Sequence, residues 1–174
     1  MSRSRPPTAV SSRRMVRYAV VGLGHIAQVA ILPAFAHARR NSRLVAVVSD
    51  DRTKRREIAR RYRLEQTFTY EEFDDCLAGV DAVYIALPNS MHAEYTIRAA
   101  KAGVHVLCEK PMAVTVQECQ QMIAACRAAN VKLMVAYRAS LRGAEPIGDG
   151  TGATWPARRF EILYIVILDD GSPG

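Results

Sequence analysis

Long apolar runs are missing from this sequence: charged or polar residues interrupt every stretch that could otherwise cross a bilayer. Paired cysteines are missing too. The four present, Cys76, Cys108, Cys119 and Cys126, show neither C-x-x-C spacing nor a disulfide-like framework. They read as reduced thiols of a cytoplasmic protein. His25, His37 and His105 are scattered without metal-ligand spacing, so no metal is implied. Aromatic residues make up only 7% of the chain and do not interleave with a basic patch. The net charge of +7 therefore argues only weakly for nucleic acid. A membrane span, a secreted disulfide scaffold, a metal centre and a nucleic-acid module are all set aside.

What is there is the ordinary balance of a globular domain, 49% apolar and 24% charged, in 174 residues. That length supports one well-cored domain rather than two large ones. "MSRSRPPTAVSSRR" is polar, basic and aperiodic, so residues 1–14 are expected to be a disordered tail. The pair Arg13-Arg14 is followed by a glycine-interrupted strand rather than the apolar core of an export signal. Met15 stands directly before that strand and could serve as the start of translation.

From Val16 to Ala136, short apolar runs alternate with stretches of helical period. "VRYAVVGLG", "RLVAVVSD", a short piece at Gln66–Thr69, "DAVYIALP", "GVHVLCE" and "VKLMVAY" read as strands. Between them, "HIAQVAILPAFAHAR" reads as a helix that tolerates Pro33 only near a kink or end. A basic helix follows from Arg52 to Arg63, then a short one closed by Gly79, one ending at Gly103, and "TVQECQQMIAACRAAN". Continuous apolar strands joined by helices predict a parallel sheet buried on both faces. The expected fold class is α/β, a doubly wound Rossmann sheet with strand order 3-2-1-4-5-6, over residues 15–138.

Gly22-Leu23-Gly24-His25-Ile26-Ala27 fits G-x-G-x-x-A between the first strand and the first helix. Gly22 permits the tight turn, Gly24 leaves room for a pyrophosphate, and Ala27 allows close helix–strand packing. The helix start offers unpaired N–H groups to the phosphates. The second strand ends in Ser49, followed by Asp50 and, further on, Lys54. A hydroxyl and an ammonium there suit the 2′-phosphate of NADP; Asp50 in the ribose-binding role would suit NAD. Arg52, Lys54 and Arg55 could equally be a solvated helix face.

The fifth strand ends abruptly in Glu109-Lys110-Pro111. Burying such a charged pair is costly unless something nearby needs it. In a doubly wound sheet the ligand lies outside the carboxyl ends of the strands, and this is such an end. Adjacent strand residues point to opposite faces, which argues against a simple Glu109–Lys110 salt bridge.

With the glycine turn, "YIALPNSMHAEYTIRAAKAGVHVLCEKPMA" and "LMVAYR" together, the chain resembles the glucose–fructose oxidoreductase / inositol dehydrogenase (Gfo/Idh/MocA) family from about Val16 to Arg138. It looks most similar to the glucose–fructose oxidoreductase branch. The resemblance implies an NAD(P)-dependent oxidoreductase acting on a sugar or polyol, with Lys110 beside the nicotinamide and the substrate hydroxyl as the catalytic residue. It further implies that Glu109 positions the cofactor or Lys110, and that the peptide before Pro111 is cis. Leu87, Pro88, Asn89 and His92 would lie on the cofactor side, with Tyr137 and Arg138 near the active site. The glycine-turn residues Gly22, Gly24, His25, Ile26 and Ala27, with Ser49, Asp50 and Lys54, complete the expected cofactor contacts. Family members carry a second α/β domain that provides much of the substrate surface and usually the oligomer interface.

After Arg138 the pattern breaks. "ASLRGAEPIGDGTGATWPARRFEILYIVILDDGSPG" begins without period, rich in Gly, Ala, Thr and Pro. Back-translated and read one base forward from within Ala139, its codons allow L-H-F-E, then A-x-N-L-S-A-M-E, and later K-F-F-T-S-S-F-S. These resemble the family's continuation. Residues 139–174 are therefore expected to be a frameshift product, leaving a truncated cofactor-binding half that turns over poorly and lacks the oligomer interface. A genuine short protein with its own tail is the alternative, "RFEILYIVIL" then being an exposed apolar strand. A non-catalytic dinucleotide-binding or redox-sensing module is the alternative function.

Overall fold

The computed structural model describes residues 15–138 and the strand Leu163–Ile167. The expectations for residues 1–14 and for the rest of the tail lie outside the described residues.

Six strands form at the apolar runs: β1 (Val16–Val21), β2 (Ser42–Val48), β3 (Gln66–Phe68), β4 (Ala82–Ile85), β5 (His105–Glu109) and β6 (Leu133–Arg138). They pair in parallel in the order β3-β2-β1-β4-β5-β6, as the sequence predicts. A further strand, β7 (Leu163–Ile167), pairs antiparallel along β6, with Ala136 opposite Ile165. This strand lies within the apolar run "RFEILYIVIL".

The helices divide between the two faces. After β1 a π-helical segment, Ala27–Ile31, runs into α1 (Leu32–Ala34), and α2 (Arg52–Tyr62) follows β2. Their apolar residues Ala27, Ile31, Leu32 and Ile58 pack with Val20, Val47 and Tyr84 of the sheet. On the opposite face α3 (Phe73–Leu77), α4 (His92–Lys101) and α5 (Val116–Ala128) cover Val21, Val48, Val83, Ile85 and Val106. All four residues of β4 are buried, which is why its sequence shows no alternation.

Local chemistry sets the helix ends. Thr115 and Glu118 form a reciprocal capping box at the start of α5. Beyond α4, Gly103 takes φ +74°, and the Val104 N–H reaches back to the Ala99 carbonyl. Gly79, by contrast, is not left-handed; α3 ends at Leu77, with Ala78 as its C-cap. The first helix stops well short of the expected Arg39. Pro33 lacks an N–H, the segment before it is widened to π geometry, and the Phe35 ring packs tilted against Tyr18, centroids 5.4 Å apart. Arg98 of α4 lies 5.0 Å from the centre of the Phe73 ring and bonds Asp74 at 3.0 Å, joining α3 to α4.

Candidate functional site

β1 and β4 are neighbours, yet the helices that follow them lie on opposite faces. The chain therefore diverges at their carboxyl ends and opens a crevice there. Four turns border it: those after β1, β2, β4 and β5.

The turn after β1 carries the glycine motif. Gly22 sits at φ +92°, and a Cβ there would stand 2.6 Å from the Ala86 carbonyl oxygen and 2.9 Å from its carbon. Both facts demand glycine. The Gly22 N–H bonds Val48 O at 2.9 Å, and the Ala86 N–H bonds Val21 O at 2.8 Å, so the turn is knitted to both neighbouring strands. Gly24 differs: it has no positive φ, and nothing lies within 4 Å of where its Cβ would be. His25 and Ile26 are exposed beside it at the helix start, while Ala27 is fully buried. Gln28 bends back to donate to Leu23 O at 2.8 Å, fixing the loop from within the helix.

At the end of β2, Ser49 is buried, and its hydroxyl accepts the Asp51 N–H at 3.2 Å. Asp50 accepts the Tyr70 N–H at 2.9 Å, linking this turn to the one after β3. Asp51 caps α2 by accepting the Lys54 N–H at 3.0 Å, and the Lys54 ammonium lies 3.1 Å from its other oxygen. The Lys54 backbone and side chain hold the Asp51 carboxyl below the usual carboxylate range. Thus Ser49 is buried, and Lys54, expected to face a phosphate, is paired with Asp51.

After β4, Leu87 is buried while Pro88 and Asn89 are exposed at the crevice. The Met91 N–H bonds Pro88 O at 2.9 Å in a single 3-10 turn before α4. His92 opens α4, where the sequence reading puts it. It is only 1% exposed, with Nε2 2.9 Å from Leu87 O and Nδ1 2.9 Å from Pro111 O. Each ring nitrogen faces a backbone carbonyl, the one that carries the hydrogen donating, so the imidazole sits between two turns.

The turn after β5 carries Glu109, Lys110 and Pro111, and the Lys110–Pro111 peptide is cis. Glu109 is half-buried. One of its oxygens accepts the Tyr84 hydroxyl at 2.7 Å and the other the Lys110 backbone N–H at 3.2 Å. Burial, then the Glu109 carboxylate, raises the Tyr84 phenol well above its ordinary range, so it remains a donor. The Lys110 side chain is exposed. Tyr137 and Arg138 close β6, with Tyr137 opposite Tyr164 of β7; their side chains lie outside the described residues.

Sequence reasoning missed Tyr84 and Gln28. Tyr84 pairs in register with Leu107 across the β4–β5 ladder, which puts its side chain on the same face as Glu109, one pleat further on. That signal appears only once the register is known.

Residues 16–137 match the family model described as an oxidoreductase family with an NAD-binding Rossmann fold, GFO_IDH_MocA. Among curated relatives, the chain is 37% identical over 126 residues to a D-xylose 1-dehydrogenase [NADP(+)] of Haloarcula marismortui, covering 71% of this chain and 35% of that protein. Among solved structures, aldose-aldose oxidoreductase from Caulobacter crescentus in complex with glycerol is 46% identical with a TM-score of 0.69, over 72% of this chain and 38% of that one. A 3-ketoreductase from Actinomadura kijaniata, in complex with TDP-benzene and NADP, is 31% identical with a TM-score of 0.65, over 72% and 39%. The chain thus spans about a third of the length of the curated relatives it matches.

Proposed function

The chain belongs to the Gfo/Idh/MocA oxidoreductase family through its NAD-binding Rossmann domain, and we propose that it binds NADP(H) across the carboxyl ends of β1, β2, β4 and β5. One observation carries this reading. The motif places glycine at residue 24, where the protein itself puts nothing within 4 Å of a Cβ and asks for no special φ. Internal packing gives no reason for a glycine there, whereas the close approach of a pyrophosphate does.

In this reading Gly22, Gly24, His25, Ile26 and Ala27 form the phosphate turn. Ser49, Asp50 and Lys54 border the adenosine ribose, and Lys54 exchanges Asp51 for the 2′-phosphate. Leu87, Pro88 and Asn89 wall the nicotinamide end, with His92 behind them and Glu109, Lys110, Tyr137 and Arg138 beyond. The bound nicotinamide supplies the hydride acceptor or donor. Lys110 would donate a hydrogen bond from its ammonium to the substrate oxygen and so stabilise alkoxide character there, the hydroxyl proton passing to a base outside the described residues. The substrate class is a sugar or polyol, supported by the xylose dehydrogenase and the aldose-aldose oxidoreductase among the relatives.

An exposed ammonium at the strand tip suits the catalytic reading over a pure dinucleotide sensor. The chain is read as the cofactor-binding part of a family oxidoreductase, acting in the cytoplasm. The tail from residue 139 is read as a shifted frame of the family's continuation, a point settled by sequencing codons 136–145. Any homo-oligomer is ascribed to a second domain. Calorimetric titration of the folded chain with NADP⁺ and NAD⁺ tests the central reading. Saturable binding, tighter for NADP⁺, is expected; no heat from either ends it.

A further inference from the structure

We propose that Tyr84 and His92 are positioning residues for Lys110, holding its turn against β4 from both sides. The inference rests on the reading of Lys110 as the group that meets the reacting end of the cofactor. The Lys110 side chain is exposed, so its placement depends on where its backbone is held.

The β4–β5 ladder stops short of that backbone. Its last paired residues are Ile85 and Cys108, and Glu109, Lys110 and Pro111 continue beyond it without a main-chain partner in β4. Two side chains take over where the ladder ends. From within β4, the Tyr84 hydroxyl donates to Glu109 at 2.7 Å, and the carboxylate's other oxygen accepts the Lys110 N–H at 3.2 Å. From the start of α4, the His92 ring lies 2.9 Å from Leu87 O, just past β4, and 2.9 Å from Pro111 O, just past Lys110. The lysine is thus bracketed by one link through its own amide and one through the next residue's carbonyl.

Both brackets are rigid. Tyr84 is 3% exposed and His92 1%. The tyrosine bond is short and made to a carboxylate, the stronger kind of hydrogen bond. Without it, the half-buried Glu109 carboxylate keeps only the Lys110 amide and is free to turn to solvent, carrying that amide with it. Neither residue needs to touch the cofactor to matter.

The test uses the 174-residue chain and two probes, NADP⁺ and 2′,5′-ADP, which lacks the nicotinamide half. Tyr84→Phe keeps the ring and its packing but removes the donor. It is expected to leave 2′,5′-ADP affinity within about twofold and weaken NADP⁺ about fivefold, the scale of one net hydrogen bond. The Lys110 amide resonance in a ¹H–¹⁵N spectrum should move as well. His92→Phe should act in the same direction; if it does not fold, Tyr84→Phe decides alone. An unchanged ratio of the two affinities overturns the proposal. If the unaltered chain binds neither probe, the cofactor reading fails, and the Lys110 amide resonance alone decides this one: a shift in Tyr84→Phe supports it and no shift overturns it.

Discussion

Gly22 and Ala86 meet backbone to backbone at the centre of the sheet: a single added carbon on residue 22 would lie 2.6 Å from the Ala86 carbonyl oxygen. Gly24, two residues away, meets nothing. One motif therefore contains a glycine the fold requires and a glycine the fold does not require.

The two should separate on substitution. Gly22→Ala is expected to lower stability by several kcal/mol, roughly 2–4, combining strain at positive φ with a collision against main chain. Gly24→Ala should leave the melting temperature nearly unchanged while dinucleotide affinity falls. Thermal melts paired with titration distinguish them; equal loss of stability in both would refute the division.

Lys54 offers a test of cofactor preference. In the free protein it is paired with Asp51, at 3.1 Å. Lys54→Ala should weaken NADP⁺ roughly tenfold, as expected for one charge-assisted hydrogen bond, and leave NAD⁺ unaffected. Parallel loss for both dinucleotides would assign Lys54 to the helix surface instead.

Lys110→Ala should change dinucleotide affinity of this chain by less than about tenfold. In a protein where the same domain is joined to a substrate domain, hydride transfer should fall by roughly 10²–10³, the usual scale for losing one group that stabilises a developing oxyanion. Steady-state turnover of a sugar alcohol measures it, and undiminished turnover would remove Lys110 from the chemistry.

The cysteines should react unequally. Burial pushes the thiols of Cys76 and Cys108 up to about 12 and that of Cys126 up to about 11. Each stays protonated and inaccessible at neutral pH. Cys119 is only half-buried. Alkylation of the native chain followed by mass mapping should therefore label Cys119 first, and the other three only on unfolding.

Acid should loosen the β2–β3 side of the crevice. The Lys54 amide and ammonium lower the Asp51 carboxyl, and the Thr69 amide and hydroxyl lower that of Glu72. Groups depressed in the folded state add stability above their unfolded value, about 4, and lose it as pH falls through the lower folded one. The melting temperature should drop over that acid window, and less steeply in Asp51→Asn/Glu72→Gln. An identical acid limb in the double variant would show that these carboxylates do not set it.

The sheet was legible because its strands are continuous apolar runs and its turns carry strong signals, as at Gly22 and Gly103. Even the short β3, the weakest such run, forms where expected, since Phe68 completes the pairing with Val48. The first helix was overextended because its apolar period continues past Pro33, while the missing N–H and the Tyr18–Phe35 contact end it. At the site, Lys110 and the glycine turn could be read from local sequence. Tyr84 and His92 could not be assigned their roles, because each depends on a partner 19 or more residues away. A hydrogen bond across strands becomes visible only after register and burial are fixed.

The crevice between β1 and β4 follows from how the polypeptide is routed, since the crossovers that leave these two strands depart to opposite sides of the sheet. No loop has to be carved to make it. Sequence drift in the bordering loops can therefore leave the berth in place as long as the winding persists.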